Sequence, residues 1–186
     1  MSITITTAST DQHLRKILEL QKINLPKALT EEEIKQEGFV TVDHDFATLK
    51  DMNNPYPHTI ALGGNEVVGY ALVMLPSMRN DIEILKPMFE KIDGINYKSK
   101  ELSESKYIMM GQACVAKGYR GQGVFYRMYD HLKTTTQHDF DFMITEVSAN
   151  NPRSLKAHNN HGFQNILSYN APDGHPWEIL LWDFSQ

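Results

Sequence analysis

The chain has 186 residues, 41% hydrophobic, 22% charged and 10% aromatic, with 11 Gly, 8 Pro and a single Cys. That is the make-up of an ordinary globular protein and excludes fibrous, low-complexity and disordered classes; a chain this long buries roughly 70% of its unfolded surface, enough for one full core. One cysteine makes no internal disulfide, and no apolar run is long enough to span a bilayer, so a cytoplasmic protein without a membrane partner is expected. The 18 Lys+Arg against 23 Asp+Glu leave a net charge of −5, which opposes counterion release and argues against nucleic acid as a partner. The charge is uneven. Residues 115–161 carry six cations and four carboxylates, net +2, so the remainder carries −7. A locally basic quarter in an acidic protein fits an anionic ligand held there, and a solvated mixed surface gives the same count.

Residues 2–8 alternate apolar with polar and run into Ser9-Thr10-Asp11-Gln12, with capping-box spacing, so a strand leads to a helix from about Asp11 to Lys22. That helix carries Leu14, Ile17 and Leu18 on one side and stops ahead of Pro26. Thr30 and Glu33 form a second capping box opening a short acidic helix. Gly38–Pro57 is irregular and reads as a loop or broken helix, its Asp43, His44 and Asp45 available to meet a ligand but typical of solvated loops. Residues 58–75 form two β-rich runs about Gly63-Gly64-Asn65, a hairpin. Asp81–Ile92 has helical spacing, with Pro87 expected to kink it, and a polar connection spans Asn96–Ser105. Tyr107–Val115 is a long apolar strand; Val124, Phe125, Met128 and Leu132 share a face of a helix starting near Gly121 or Gln122. Phe140–Val147 is a strand, Pro152–His161 a helix, and two strands follow Gly162. Alternating strands and helices in the second half argue for parallel neighbours, and the hairpins for antiparallel pairing elsewhere. The class is therefore α/β (α+β), a mixed central sheet of about seven strands flanked by helices in one domain, residues 1–186.

Chemistry concentrates after Val115. A strand running into Arg120-Gly121-Gln122-Gly123 and then a helix builds an anion cradle, because the helix N-terminus presents unpaired N–H groups and the glycines admit a phosphate oxygen close to the backbone. No Lys-Ser or Lys-Thr follows the glycines and Tyr126 stands where a dinucleotide fingerprint would place its third Gly, so neither a P-loop nor that fingerprint is present. A helix-starting turn without a ligand has the same pattern.

These residues resemble the GNAT superfamily of N-acetyltransferases, whose pyrophosphate motif is Arg or Gln, two residues, Gly, one residue, then Gly or Ala; here it reads Arg120-Gly121-Gln122-Gly123-Val124-Phe125. A second likeness follows in the correct order: Asn151, then Ser154, His158 and Gly162-Phe163, where the family has Asn, a Tyr seven positions on, and Gly-Phe. Phe125 in place of Gly or Ala, and His158 in place of Tyr, are the departures. The resemblance implies an acyl-CoA N-acyltransferase fold and an enzyme that transfers an acetyl group from the co-substrate acetyl-CoA to a primary amine, on a small molecule or a protein, by direct attack in a ternary complex. It further implies that the pantetheine arm pairs with Met110–Val115, that this strand splays from Met143–Val147, and that amides near Cys114 and Val115 face the developing oxyanion. Cofactor contacts fall on Cys114, Val115, Arg120, Gly121, Gln122, Gly123, Val124, Phe125, Asn151, Ser154 and His158.

Two side chains are the catalytic candidates. His158 is read as the acid for the leaving thiolate, against a role-less helix histidine like His161; Glu146 is read as the base for the amine, against an ordinary strand-end carboxylate paired with a cation. Cys114 as a covalent nucleophile lacks an activating neighbour, and His131, His138 and His175 show no metal spacing. A non-catalytic acyl-CoA sensor of the same fold is the alternative, and a homodimer is left open.

Overall fold

The computed structural model describes residues 2–82 and 85–185. Seven strands are hydrogen-bonded in the order β1 (Ile3–Thr7), β2 (Thr59–Gly63), β3 (Glu66–Met74), β6 (Tyr107–Val115), β7 (Phe142–Ser148), β9 (Pro176–Asp183), β8 (Gln164–Asn170), so the expected mixed sheet is present, with six α-helices among the described residues. The chain divides into two compact units, residues 1–73 with 111–135, and residues 74–110 with 136–186.

The first unit opens with β1 (Ile3–Thr7), antiparallel to β2 (Thr59–Gly63), which turns at Gly64-Asn65 into β3 (Glu66–Met74). Helix α1 (Asp11–Lys22) starts where the sequence places it, with the Thr10 side chain accepting the His13 N–H at 3.1 Å. Its core stripe is Leu14, Ile17, Leu20 and Gln21; Leu18, expected inward, is replaced there by Leu20, the i+3 neighbour of Ile17. In α2 (Glu31–Glu37) both halves of the Thr30–Glu33 capping box form.

Gly38–Pro57 is corrected: it contains a regular helix, α3 (Phe46–Asn53). Asp45 is its N-cap, accepting the Thr48 N–H at 2.8 Å, while Leu49 and Met52 are buried and α3 packs on α1. Two buried positions in eight residues are too few to register as a period. In the Asp43-His44-Asp45 cluster, which the sequence leaves as either ligand-facing or merely solvated, Asp43 pairs with Lys27 at 2.7 Å, Asp45 caps α3, and His44 is buried, its Nδ1 2.8 Å from the Gln21 side-chain oxygen.

In the second unit, α4 (Lys86–Asp93) takes Pro87 in its first turn, where a missing N–H costs nothing, so the kink expected at Pro87 does not form. The helix expected from Asp81 begins only at Lys86: Asp81 and Ile82 lie in a turn and a bend, and Glu83 and Ile84 lie outside the described residues. The polar connection folds as a small hairpin, β4 (Asn96–Tyr97) and β5 (Lys100–Glu101). Strand β6 (Tyr107–Val115) runs from this unit into the first, and its opening residues pair parallel with β7 (Phe142–Ser148) as Tyr107–Phe142, Ile108–Met143 and Met109–Ile144. After that the Thr145 hydroxyl donates to the Met110 carbonyl at 2.8 Å, a side chain taking up the acceptor. Strands β8 (Gln164–Asn170) and β9 (Pro176–Asp183) close the chain, β9 antiparallel to both β7 and β8.

Candidate functional site

Two loci carry the candidate chemistry, one in each unit. In the first, β6 ends at Val115, a short 3-10 turn covers Lys117–Tyr119, and α5 (Val124–Thr136) begins after Gly123. Gly121 and Gly123 sit at φ +74° and +72°, backbone that other residues reach only with strain, and a Cβ on either would meet nothing within 4 Å. Space is therefore open beside the turn, and glycine is required by its dihedral. The helical ladder begins with the Arg127 N–H to the Gly123 carbonyl at 3.1 Å, so the amides of the preceding turn have no acceptor within the helix. A left-handed, glycine-flanked turn at the N-terminus of a 13-residue helix is suited to a phosphate.

The side chains around this turn are mostly structural. Val124 is buried, and Phe125 stacks on Tyr129 with centroids 4.4 Å apart, so this departure from the family pattern is absorbed by packing. Burial pushes the Cys114 thiol up to about 12, which leaves it a protonated, small hydrophobe rather than a nucleophile. The Arg120 guanidinium is engaged by protein acceptors: Nε donates to the Val115 carbonyl at 2.8 Å, one terminal nitrogen to Asn24 at 2.9 Å, and the other to the Glu37 carboxylate. It ties the end of β6 to α2 and the end of α1. Arg120→Ala is expected to lower stability by about 1–3 kcal/mol, since several hydrogen bonds to a charged group are lost together. A urea midpoint equal to wild type would contradict that role.

The second locus lies on β7 and α6 (Pro152–Asn160). Asn151 is the N-cap of α6, its side chain accepting the Ser154 N–H at 3.2 Å, so Asn151, Ser154 and His158 mark the cap and the next turn. His158 is 2% exposed, donates from Nδ1 to the Ser154 carbonyl at 2.8 Å and meets the Phe163 ring edge-on at 5.1 Å. Burial lowers its pKa to about 4, so at neutral pH the ring is a neutral imidazole with its proton already committed. It holds no imidazolium proton for a thiolate, and the general-acid role expected from the sequence does not fit this environment.

His158 belongs to a set with His44, brought to about 4, and His58, to about 3, both also by burial. A folded-state pKa below the unfolded value of 6.5 stabilises the protein above pH 6.5, and this is lost as pH falls toward the folded values. Thermal melts are therefore expected to show a falling midpoint between pH 6.5 and 4; a flat or rising midpoint would contradict three neutral buried rings.

Glu146 is different. It projects from β7 in a partly buried position, and burial raises its pKa to about 7, opposed by a hydrogen bond that the Tyr169 hydroxyl donates to its carboxylate. Among the described residues no cation pairs with this carboxylate, the plain alternative, and its hydrogen-bond partner is a phenol. Sequence reasoning missed Tyr169, since one tyrosine in the strand Gln164–Asn170 carries no motif. Two residues along β7, the buried Ser148 hydroxyl lies 2.7 Å from His175 Nε2. Among the described residues no group of three metal-ligating side chains occurs and no helix is long and apolar enough to cross a membrane.

A strand that leads through a glycine turn into a helix N-terminus is suited to a phosphate-bearing ligand. The acetyltransferase (GNAT) family matches residues 18–163, and the chain belongs to it. Solved structures agree on the fold. The NatC complex bound to Gag peptide and CoA is 13% identical with a TM-score of 0.66, covering 98% of this chain and 99% of that one. The ribosomal-protein-S18-alanine N-acetyltransferase from Escherichia coli is 14% identical with a TM-score of 0.62 over 100% and 96% of the two chains. The yncA structure from Salmonella typhimurium with its cofactor acetyl-CoA gives 14% identity and a TM-score of 0.62 over 99% and 95%. No curated protein matches.

Proposed function

We propose that the protein is an acetyl-CoA-dependent N-acetyltransferase that acts on a primary amine, small-molecule or protein-borne, by direct attack, with Glu146 as the general base. The observation that carries this reading is the partly buried Glu146 carboxyl on β7, which accepts the Tyr169 hydroxyl and is pushed up by burial to about 7, suited to a base working at neutral pH. Acetyl-CoA supplies the activated acetyl thioester. Its phosphates fit the amides from Gly121 to Phe125, where two left-handed glycines leave open space, and structural neighbours hold CoA or acetyl-CoA. Cys114 is a protonated buried thiol, which supports direct transfer over an acyl-cysteine route. Glu146 takes a proton from the acceptor ammonium and leaves nitrogen with a free electron pair. With His158 neutral and its Nδ1 proton donated to Ser154, water is the acid assigned to the departing thiolate.

The test is release of the CoA thiol from acetyl-CoA against a panel of amines, including peptides with free N-termini and polyamines. Release that requires an amine, with a matching acetylated product by mass spectrometry, is expected. Tight acetyl-CoA binding with no turnover on any amine would replace the enzyme reading with the sensor.

A further inference from the structure

Tyr169 hydrogen-bonds the proposed base, and its placement depends on an irregularity in the sheet. Strand β9 lies between β7 and β8, with Glu146 opposite Ile179 and Ser148 opposite Trp177 on one side, and Leu167 opposite Ile179 and Tyr169 opposite Trp177 on the other. Cross-strand partners share a face, so Glu146, Ser148 and Tyr169 point the same way. They do so because β8 carries a bulge between Asn165 and Leu167: Asn165 pairs with Leu180, but Leu167 pairs with Ile179. Without the extra residue the register would slip by one, Ser168 would oppose Trp177, and Tyr169 would face the other side of the sheet. The bulge thus delivers the phenol to the face of Glu146, where its hydroxyl donates across β9 to the carboxylate.

We propose that Tyr169 is a positioning residue for Glu146, holding one carboxylate oxygen so that the other is presented to the acceptor amine, and favouring the ionised form that can accept a proton. This rests on the reading of Glu146 as the base. The hydrogen bond opposes the burial that raises Glu146, while burial and the neighbouring carboxylate keep the phenol well above its usual range and hence a hydroxyl donor at any working pH. The other polar and charged groups on this face are placed as well. Lys91 of α4 stands 6.0 Å from the centre of the Tyr169 ring, and His175, from the β8–β9 turn, is held by Ser148. Glu178 belongs to the opposite face, where it pairs with Asn165 and Ser168.

Tyr169→Phe keeps the ring and removes the donor. The acid limb of kcat/KM for the amine is expected to move up by about one pH unit, a roughly tenfold loss below the limb, with KM for acetyl-CoA unchanged. Carbon-13 NMR titration of the Glu146 carboxyl should show the same upward move, independently of turnover. In a Glu146→Gln background, Tyr169→Phe should cost less than twofold, because a residue that acts through another has nothing left to act through. A wild-type pH profile in Tyr169→Phe, or a kcat loss that repeats in full on top of Glu146→Gln, would overturn the proposal. Glu146→Gln with wild-type turnover would instead remove the base reading itself, and the NMR titration would still report whether the phenol tunes the carboxyl.

Discussion

Glu146→Gln is expected to lower kcat by about 10² to 10⁴, the range for losing a positioned general base, with little change in the affinity for acetyl-CoA. The amide has the size and shape of the carboxyl, and its oxygen can accept the Tyr169 hydroxyl, so the contacts on β7 survive while the ability to take a proton does not. In the wild type, Glu146 must be ionised to act, and with its pKa at about 7 the acid limb of the pH profile belongs near that value. The variant should lose that limb and keep only the dependence of the amine itself. Stability supplies an independent control. A carboxyl whose folded pKa lies above the ordinary 4.5 contributes stability below pH 4.5 that is lost as pH rises through about 7. Glu146→Gln should therefore be more stable than wild type at pH 8, a gain that vanishes below pH 4.5. Loss of turnover in a more stable protein cannot be assigned to unfolding. Wild-type kcat in Glu146→Gln would end the proposal that this carboxylate is the base.

The same carboxylate shows where sequence reasoning works and where it stops. Caps and glycine turns are local physics: Thr10, the Thr30–Glu33 box, Asn151 with Pro152, and the turn at Gly64-Asn65 each satisfy backbone groups within a few residues, so α1, α2, α6 and the β2–β3 hairpin stand where the sequence places them. The strand–glycine–helix segment at residues 115–124 is legible for the same reason. Helix α3 and the β4–β5 hairpin are not. The first buries only Leu49 and Met52, and the second turns through Lys98 and Ser99 at φ 49° and 66°, conformations that glycine or asparagine would have advertised. Long-range environment is invisible altogether. The family resemblance could name His158 and Glu146, but only the fold shows that burial lowers the pKa of the first to about 4 and raises that of the second to about 7. Arg120 matches a motif position, yet its donors are taken by Val115, Asn24 and Glu37, the last two more than eighty residues away in sequence. The bulge that turns Tyr169 toward Glu146 leaves no mark in the composition of β8.

Gly123→Asp is expected to weaken CoA binding most among single changes at the cradle. At φ +72° the new residue meets a backbone strain of about 1–2 kcal/mol, while its Cβ enters open space and clashes with nothing within 4 Å, so the fold should persist. The carboxylate is the larger effect. It stands at the entry to α5, where the helix amides attract negative charge, and there it both repels a phosphate and competes for the N–H groups that would hold it. Each hydrogen bond from backbone to a charged oxygen is worth about 1.5–3 kcal/mol, so the loss of two would lower affinity by a factor of a hundred or more. Gly123→Ala separates the two causes, since it carries the strain without the charge and should lose far less. Arg120→Ala should also weaken CoA less than Gly123→Asp, because its guanidinium is engaged by protein acceptors and acts on the turn only by holding β6 against α1 and α2. Calorimetric titration of CoA into the three folded variants measures the ranking. Unchanged affinity in Gly123→Asp would remove the pyrophosphate from this turn, and equal losses in the aspartate and alanine variants would show that the dihedral, rather than the charge, governs binding.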